Sequence, residues 1–202
     1  MIQALPRLMT FQAFLDWKSE IARYELFDGV IVEMQPTGSH ERVVGLLNRK
    51  LNALLEQGNL DYLIPNTAMI KSLGAETSYK PDLVLIKPSG LSQEPLWEQA
   101  SVITLANSLK LVIEVVSTNW PDDYARKFED FEVMGILEYW TVDFLGLVRR
   151  RYIGTPKQST VTVCTWVDRV YETQLFRSGD AVISSGLLGL NLTVDQIIKV
   201  GK

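Results

Sequence analysis

Two short apolar runs each carry one acidic residue, and they constrain the fold more than any other feature of the chain. Residues 83–86 read LVLI and follow Asp82, whereas residues 109–116 read LKLVIEVV and contain Glu114. Continuous apolar runs of this length are typical of strands that are covered on both faces. The two runs therefore predict a sheet with helices packed against it.

Helix and turn signals fill in the rest of the predicted architecture. Asp28-Gly29 between two alternating runs predicts a β-hairpin. Helices are predicted at 11–22 after a Thr10 cap, 39–58, 122–135 and 193–200, the last capped by Thr193. Further strands are predicted at 62–65, 67–70, 137–143, 146–153, 159–166 and 173–177. This order predicts one α/β or α+β domain over residues 1–202, with a mixed central sheet flanked by helices.

Composition narrows the class of protein. The formal net charge is −4, which argues against tight binding to bare nucleic acid through global charge, because that affinity comes from neutralising phosphates. A local basic patch, or an acidic site neutralised by a metal, stays compatible with this charge. Neither a signal peptide nor the ~18 consecutive apolar residues of a membrane helix is present, so we expect a cytoplasmic protein without membrane contact. The single cysteine, Cys164, excludes an internal disulfide and a cysteine-rich zinc site.

The two acids are unusual because a carboxylate in a buried strand is costly to ionise without a cation or hydrogen-bond donors. For Glu114, one interpretation is an ion pair with an internal lysine or arginine, and the other is metal ligation. For Asp82, which follows Pro81, the alternative is an ordinary turn residue. Two carboxylates on neighbouring strands could together bind one Mg²⁺, which prefers a few carboxylates and several waters.

Lys127 lies thirteen residues after Glu114, on the predicted helix 122–135. It could form an exposed pair with Asp123, four residues earlier on the same helical face. Alternatively, its ammonium could reach the site of Asp82 and Glu114, where it would orient water or stabilise charge on a phosphate. A metal and a nearby cation are the parts that phosphodiester hydrolysis needs.

The order of several motifs resembles a bacterial restriction-endonuclease-like family within the PD-(D/E)xK nuclease superfamily. The motifs are YELFDGVIVEM, the following His40, PDLVLI, IEVVSTN, a D…K pair and GILEYWTVD, and the resemblance spans about residues 10 to 200. It implies a mixed central sheet with flanking helices and Mg²⁺-dependent phosphodiester cleavage, with Asp82 and Glu114 as the metal carboxylates. The position two after Glu114 is Val116 rather than lysine, so the resemblance takes the lysine from the next helix, as Lys127.

The same resemblance draws attention to two further residues. Glu25 could add a third carboxylate, or it could be an outward-facing strand residue. His40 precedes most of the long helix and could equally be a helix residue without a chemical role. Within 146–153, Arg149 and Arg151 could share one face of a strand, although such runs are more often solvated.

These features lead to a metal-dependent nuclease as the first hypothesis. It would act on DNA with Mg²⁺ or Mn²⁺, using Asp82 and Glu114 as ligands, Lys127 as the assisting cation and Glu25 as an auxiliary acid. Restriction-like enzymes often pair two sites to cut two strands, which favours a homodimer. One alternative is an inactive fold that serves as an interaction module, favoured by the negative net charge and by Val116. Another is a metal-dependent phosphohydrolase acting on small nucleotides.

Overall fold

The computed structural model describes residues 8–17, 23–74, 76–116 and 120–202, with the backbone alone for 120–124. The helices are α1 Phe11–Trp17, α2 Gly38–Gly58, α3 Pro88–Leu91, α4 Trp97–Ala100, α5 Trp120–Met134, α6 Arg150–Ile153 and α7 Val194–Gly201. The strands are β1 Arg23–Phe27, β2 Val30–Met34, β3 Met69–Lys71, β4 Ser78–Tyr79, β5 Leu83–Ile86, β6 Val102–Ile103, β7 Leu109–Val115, β8 Glu138–Asp143, β9 Thr160–Val167 and β10 Val170–Phe176.

The strands form two mixed sheets, which confirms the predicted α/β class. The first sheet has the order β2-β1-β4-β3-β6 and the second has the order β10-β9-β8-β7-β5. Each contains one parallel pair, β3 with β6 in the first sheet and β7 with β8 in the second. The expected central sheet corresponds to the second of these, because it contains both acid-bearing apolar strands.

The chain passes from the first sheet to the second between β4 and β5, through Lys80, Pro81 and Asp82. Only three residues make this connection, so the end of β4 and the start of β5 lie close together. Proline suits such a position because it makes no N–H donation to a strand ladder. The crossing therefore places Asp82 at the start of β5, where the two sheets meet.

The second sheet is covered on both faces, as its apolar strands predict. Alternate residues of β5 lie on opposite faces of the sheet. Leu83 and Leu85 pack with the apolar residues of α2 and α7. Val84 and Ile86 pack on the other side in the cluster that contains Phe131 of α5. The period of two along an extended strand produces this division.

Local signals in the sequence account for several elements. Asp28 and Gly29 adopt φ values of 46° and 80°, the left-handed pair that a two-residue hairpin requires, and they join β1 to β2 as predicted. Thr193 caps α7 in a capping box with Gln196. The predicted helix 11–22 is described from Phe11 to Trp17, and residues 18–22 lie outside the described residues.

The strand predicted at 146–153 is wrong, because the chain turns at 144–145, continues as irregular backbone to Arg149 and then forms the short helix α6. The buried carboxylate of Asp143 accepts hydrogen bonds from the backbone N–H groups of Leu147 and Val148. These bonds turn the chain away from the direction of β8. Arg149 and Arg151 therefore do not share the face of a strand.

The strand predicted at 62–65 is likewise reduced to one isolated bridge between Leu63 and Ile86. Across the described ranges, no helix is long and apolar enough to cross a membrane.

Candidate active site

Side chains from both sheets and from α5 meet where the two sheets approach each other. Lys127 of α5 places its Nζ 3.0 Å from Oε1 of Glu25 on β1 and 3.0 Å from Oε1 of Glu114 on β7. Lys127 is 1% exposed and Glu25 is 0% exposed. The exposed helix pair considered for Lys127 and the outward-facing position considered for Glu25 are therefore both wrong.

Glu25 is tied to the crossing segment as well as to the lysine. Its Oε1 also accepts the backbone N–H of Lys80 at 2.8 Å. Its Oε2 is buried and accepts no hydrogen bond from any residue that the structure describes. A buried acceptor without a partner is uncommon in proteins and often marks a position that water or an ion completes.

Asp82 stands directly before β5, and Glu114 is the next-to-last residue of β7. Leu83 is paired with Ile113, and extending this antiparallel register by one residue beyond the start of β5 brings Asp82 opposite Glu114. Directly opposite residues project from the same face of a sheet, with Cβ atoms ~5 Å apart. The structure therefore brings together the two carboxylates that the sequence suggested as metal ligands.

Three donors surround Asp82. Its Oδ1 accepts from Nη1 of Arg23 at 3.0 Å, and its Oδ2 lies 3.1 Å from Nε2 of His40 and accepts the N–H of Val115 at 2.8 Å. Arg23 also donates to the carbonyl groups of Lys80 and, at longer range, of the following proline. These contacts anchor the Asp82 carboxylate from β1, α2 and β7 at once.

The donors around Asp82 decide its charge. Burial alone would raise the pKa of Asp82, but the hydrogen bond and charge of His40, the charge of Arg23 and the N–H of Val115 outweigh burial and hold that pKa below its usual range. Burial alone would lower the pKa of His40, whereas its hydrogen bond to Asp82 raises that pKa overall. Asp82 is therefore an ionised carboxylate with a compensating cationic environment.

The pKa of Glu114 is shifted in the opposite direction from that of Asp82. Burial raises the pKa of Glu114 to about 8, and the negative charges of Asp82 and Glu25 act in the same direction, while Lys127 opposes them. Two neighbouring carboxyl groups with pKa values moved apart are typical of sites where acids take different roles. The internal lysine considered as a partner for Glu114 is thus present, and it is Lys127, the lysine proposed for catalysis, which donates a hydrogen bond to Glu114.

The ring of Tyr79 on β4 packs against the ammonium of Lys127. Nζ of Lys127 lies 5.5 Å from the centroid of the Tyr79 ring, within cation–π range. The Tyr79 hydroxyl donates to Asp130, which also accepts from Ser72. Burial raises the pKa of Tyr79, so the hydroxyl stays a neutral donor. These contacts restrict the positions that the lysine can adopt.

A cleft of about 460 Å³ opens beside Asp82. Its walls come from α2, from the segment before β3 and from the crossing segment, and they include Arg23, Glu41, Asn66, Lys80 and Asp82. A ligand that enters the cleft can therefore reach Arg23 and Asp82.

The donor set fits a divalent ion that keeps much of its water. Oδ1 of Asp82 accepts only from Arg23, and Oε2 of Glu114 accepts no hydrogen bond, counting the described residues alone. Within the same residues, no group of three or more His, Cys, Asp or Glu side chains is arranged to hold a metal. Two carboxylates completed by waters suit Mg²⁺ or Mn²⁺ and do not make a closed zinc or calcium site.

Sequence reasoning missed Arg23 and gave no role to His40. A signal for Arg23 existed, since it stands two residues before Glu25 on β1 and residues two apart lie on the same face of a strand. His40 offered no such signal, because its contact with Asp82 joins residues 42 positions apart.

The fold has a clear counterpart among solved structures. It is similar to the crystal structure of a "putative nuclease belonging to DUF820" from Anabaena variabilis, with a TM-score of 0.71 and 17% sequence identity, covering 96% of this chain and 99% of that one. At this level of identity the likeness concerns the fold. No curated protein matches the chain.

The sequence itself is matched by a family model over most of its length. The model is that of the Uma2 family, described as "Putative restriction endonuclease", and it aligns with residues 11–195. The match includes all four of the residues Glu25, Asp82, Glu114 and Lys127. The chain therefore belongs to the Uma2 family of restriction-endonuclease-like proteins.

Proposed function

We propose that this protein is a metal-dependent nuclease that hydrolyses phosphodiester bonds in DNA, and that residues 1–202 form one restriction-endonuclease-like domain. The observation that carries the proposal is the juxtaposition of Asp82 and Glu114 across β5 and β7, with Lys127 at 3.0 Å from Glu114. The family and the structural neighbour support a nuclease-like function.

Asp82 and Glu114 would hold Mg²⁺ or Mn²⁺, since each carboxylate keeps spare acceptor capacity beside its hydrogen bonds to Arg23 and Lys127. When bound, the ion would polarise the phosphate and lower the pKa of a water molecule. Arg23 and His40 would keep Asp82 ionised and oriented before the ion arrives. The raised pKa of Glu114 means that loading the site releases a proton.

Lys127 would stabilise the negative charge that develops on the phosphate oxygens. In the hydrolysis, the water oxygen forms a bond to phosphorus and gives up a proton, the phosphorus–oxygen bond to one nucleoside breaks, and that leaving oxygen takes up a proton, so no net proton is consumed in the step. A preorganised ammonium next to the reacting group lowers the energy of this charge without having to reorganise. Glu25 would act as a positioning residue, because it holds the lysine from the opposite sheet.

The interaction-module alternative needs only a buried ion pair. Glu114 and Lys127 alone would satisfy it, and replacing such a pair by apolar residues is often tolerated. It does not account for Asp82 facing Glu114 or for a polar cleft that opens onto Asp82. These two features favour an enzyme.

The test is cleavage of supercoiled and of single-stranded DNA with Mg²⁺, with Mn²⁺ and with chelator. We expect cleavage only with metal, its loss in Asp82→Asn, and a fall of about 10²- to 10³-fold in Lys127→Met. Glu94→Gln is the matched control, since Glu94 is a buried carboxylate bound to Thr104 and Leu105 away from the site. Thermal melts establish that each variant is folded.

Two results would contradict the proposal: equal cleavage by wild type and Asp82→Asn, or no cleavage by wild type with either metal. Hydrolysis of small nucleotides but not of DNA would instead favour the phosphohydrolase alternative. Sedimentation of the protein with and without duplex DNA would test the homodimer that cutting two strands favours.

A further inference from the structure

One segment of the chain has a charge opposite to that of the whole protein. Residues 144–167 contain no aspartate or glutamate and carry four basic residues, whereas the chain has a formal net charge of −4. Three of these are the consecutive arginines 149–151, and the fourth is Lys157. We call Arg149–Lys157 the basic segment.

The topology places the basic segment at the edge of the sheet where the acids lie. β7 and β8 are parallel and pair Glu114 with Thr141, so their carboxyl ends reach the same edge. The basic segment follows the end of β8. Val148, directly before the segment, and Ile153, within it, form one cluster with Val116, which stands two residues beyond Glu114.

The segment is anchored by side chains on both sides. Asp143 accepts the N–H groups of Leu147 and Val148, each at 2.8 Å. Nη2 of Arg177 donates to the carbonyl of Ile153 at 3.0 Å. The cations are therefore presented from a fixed turn.

The charged ends of the segment point to an anionic partner. The three arginines and Lys157 are all exposed. Among the described residues, the Arg150 side chain makes no hydrogen bond or ion pair, and Arg151 stacks on the ring of Tyr152 at 4.5 Å. Ile153, the one aliphatic residue of the segment, is buried, so the segment has no aliphatic face for insertion into a lipid bilayer.

We propose that the basic segment binds the phosphate backbone of double-stranded DNA next to the cleavage site, an inference that rests on the proposed nuclease function. The net charge of −4 repels phosphate, but interactions between exposed charges are screened beyond ~10 Å at moderate salt, so the local charge decides where a duplex binds. Cations at the same end of the sheet as the acids would attract the phosphate backbone there, despite the net charge of the whole protein. Contacts of this kind position the duplex without reading its sequence.

The experiment measures binding separately from cleavage. Fluorescence anisotropy follows a labelled DNA duplex in chelator at a series of salt concentrations, for wild type and for Arg150→Gln/Arg151→Gln. The control is Lys87→Gln/Arg169→Gln, since Lys87 follows β5 and Arg169 joins β9 to β10 at the opposite edge of the same sheet. We expect the test variant to weaken binding and to lower the slope of log K against log salt by about 2, and the control to leave both unchanged.

Equal affinity and equal slope for wild type and the arginine variant would overturn the inference, as would the absence of duplex binding by wild type. Tighter binding to single-stranded DNA, RNA or vesicles containing phosphatidylserine than to the duplex would also overturn it. Duplex binding that depends on the arginines, in a protein that does not cleave, would support the inference and count against the proposed catalysis alone.

Discussion

Replacing Glu114 by glutamine in the metal-free protein is expected to stabilise the fold, whereas replacing its neighbour Asp82 by asparagine is expected to destabilise it. Extending the register of β5 and β7 by one residue brings the two carboxylates opposite each other. Their surroundings nevertheless move their pKa values in opposite directions, which predicts opposite effects on the free energy of unfolding.

The magnitude for Glu114 follows from proton linkage. Its pKa is about 8 in the folded protein against an ordinary 4.5, so the folded state holds a proton that the unfolded state has released. Wild-type stability therefore falls as pH rises from 4.5 to 8. At pH 7, 2.5 pH units above the ordinary value, the cost is at most about 3.5 kcal/mol, since each pH unit is worth about 1.4 kcal/mol. Glutamine removes this cost while Lys127 keeps its contact with Glu25.

The sign for Asp82 is the reverse. A folded pKa below the ordinary value contributes stability that is present above pH 3.8 and is lost as pH falls through the folded value. Asparagine removes that stability and leaves His40 and Arg23 without a counterion. Removing one partner of a buried pair costs up to about 3–5 kcal/mol, and less here because the Arg23 side chain is 26% exposed.

Thermal melts in chelator between pH 5 and pH 8.5 measure both effects. A chain of this size gains or loses ~2–4 °C in Tm per kcal/mol. We expect the melting temperature of Glu114→Gln to exceed that of wild type by an amount that grows with pH up to about 8 and that shrinks to ~2 °C at pH 5. Shifts of the same sign for both variants, or a Glu114→Gln gain that does not change with pH, would refute the reasoning.

Two further predictions concern the turns that hold the site and the basic segment. Asp143→Ala should lower the free energy of unfolding by about 1–3 kcal/mol in urea titrations, because it leaves the buried N–H of Val148 without its acceptor; no change would contradict the anchoring role. Gly29→Ala should cost about 1–3 kcal/mol in the same assay, since φ is +80° there and a Cβ would lie 2.9 Å from the Cβ of Leu8. Gly74→Ala is its comparison, because Gly74 also has a positive φ but has open space around it, and an equal loss would show that crowding plays no part.

Local patterns in the sequence determined the elements and the identity of the central acids. The Asp28-Gly29 turn, the helical period of α2 and the apolar runs around Asp82 and Glu114 all produced the structures they predict. Each of these features depends on interactions between residues close in the chain, or on burial that a strand shows through its own composition. The family resemblance was readable for the same reason, since its motifs are short and occur in order.

Only the tertiary structure decided which distant groups surround those acids. It decided that the strands divide into two sheets and that Glu25 is buried. The contacts of Asp82 with Arg23 and His40, and of Glu25 with Lys127, join residues that are 42 to 102 positions apart. Residues 146–153 have the composition of a strand and do not form one, because the Asp143 carboxylate binds the N–H groups of Leu147 and Val148 and directs the backbone there. A period of two tells which face a strand residue occupies, but the partner across that face is chosen by the packing of the whole chain.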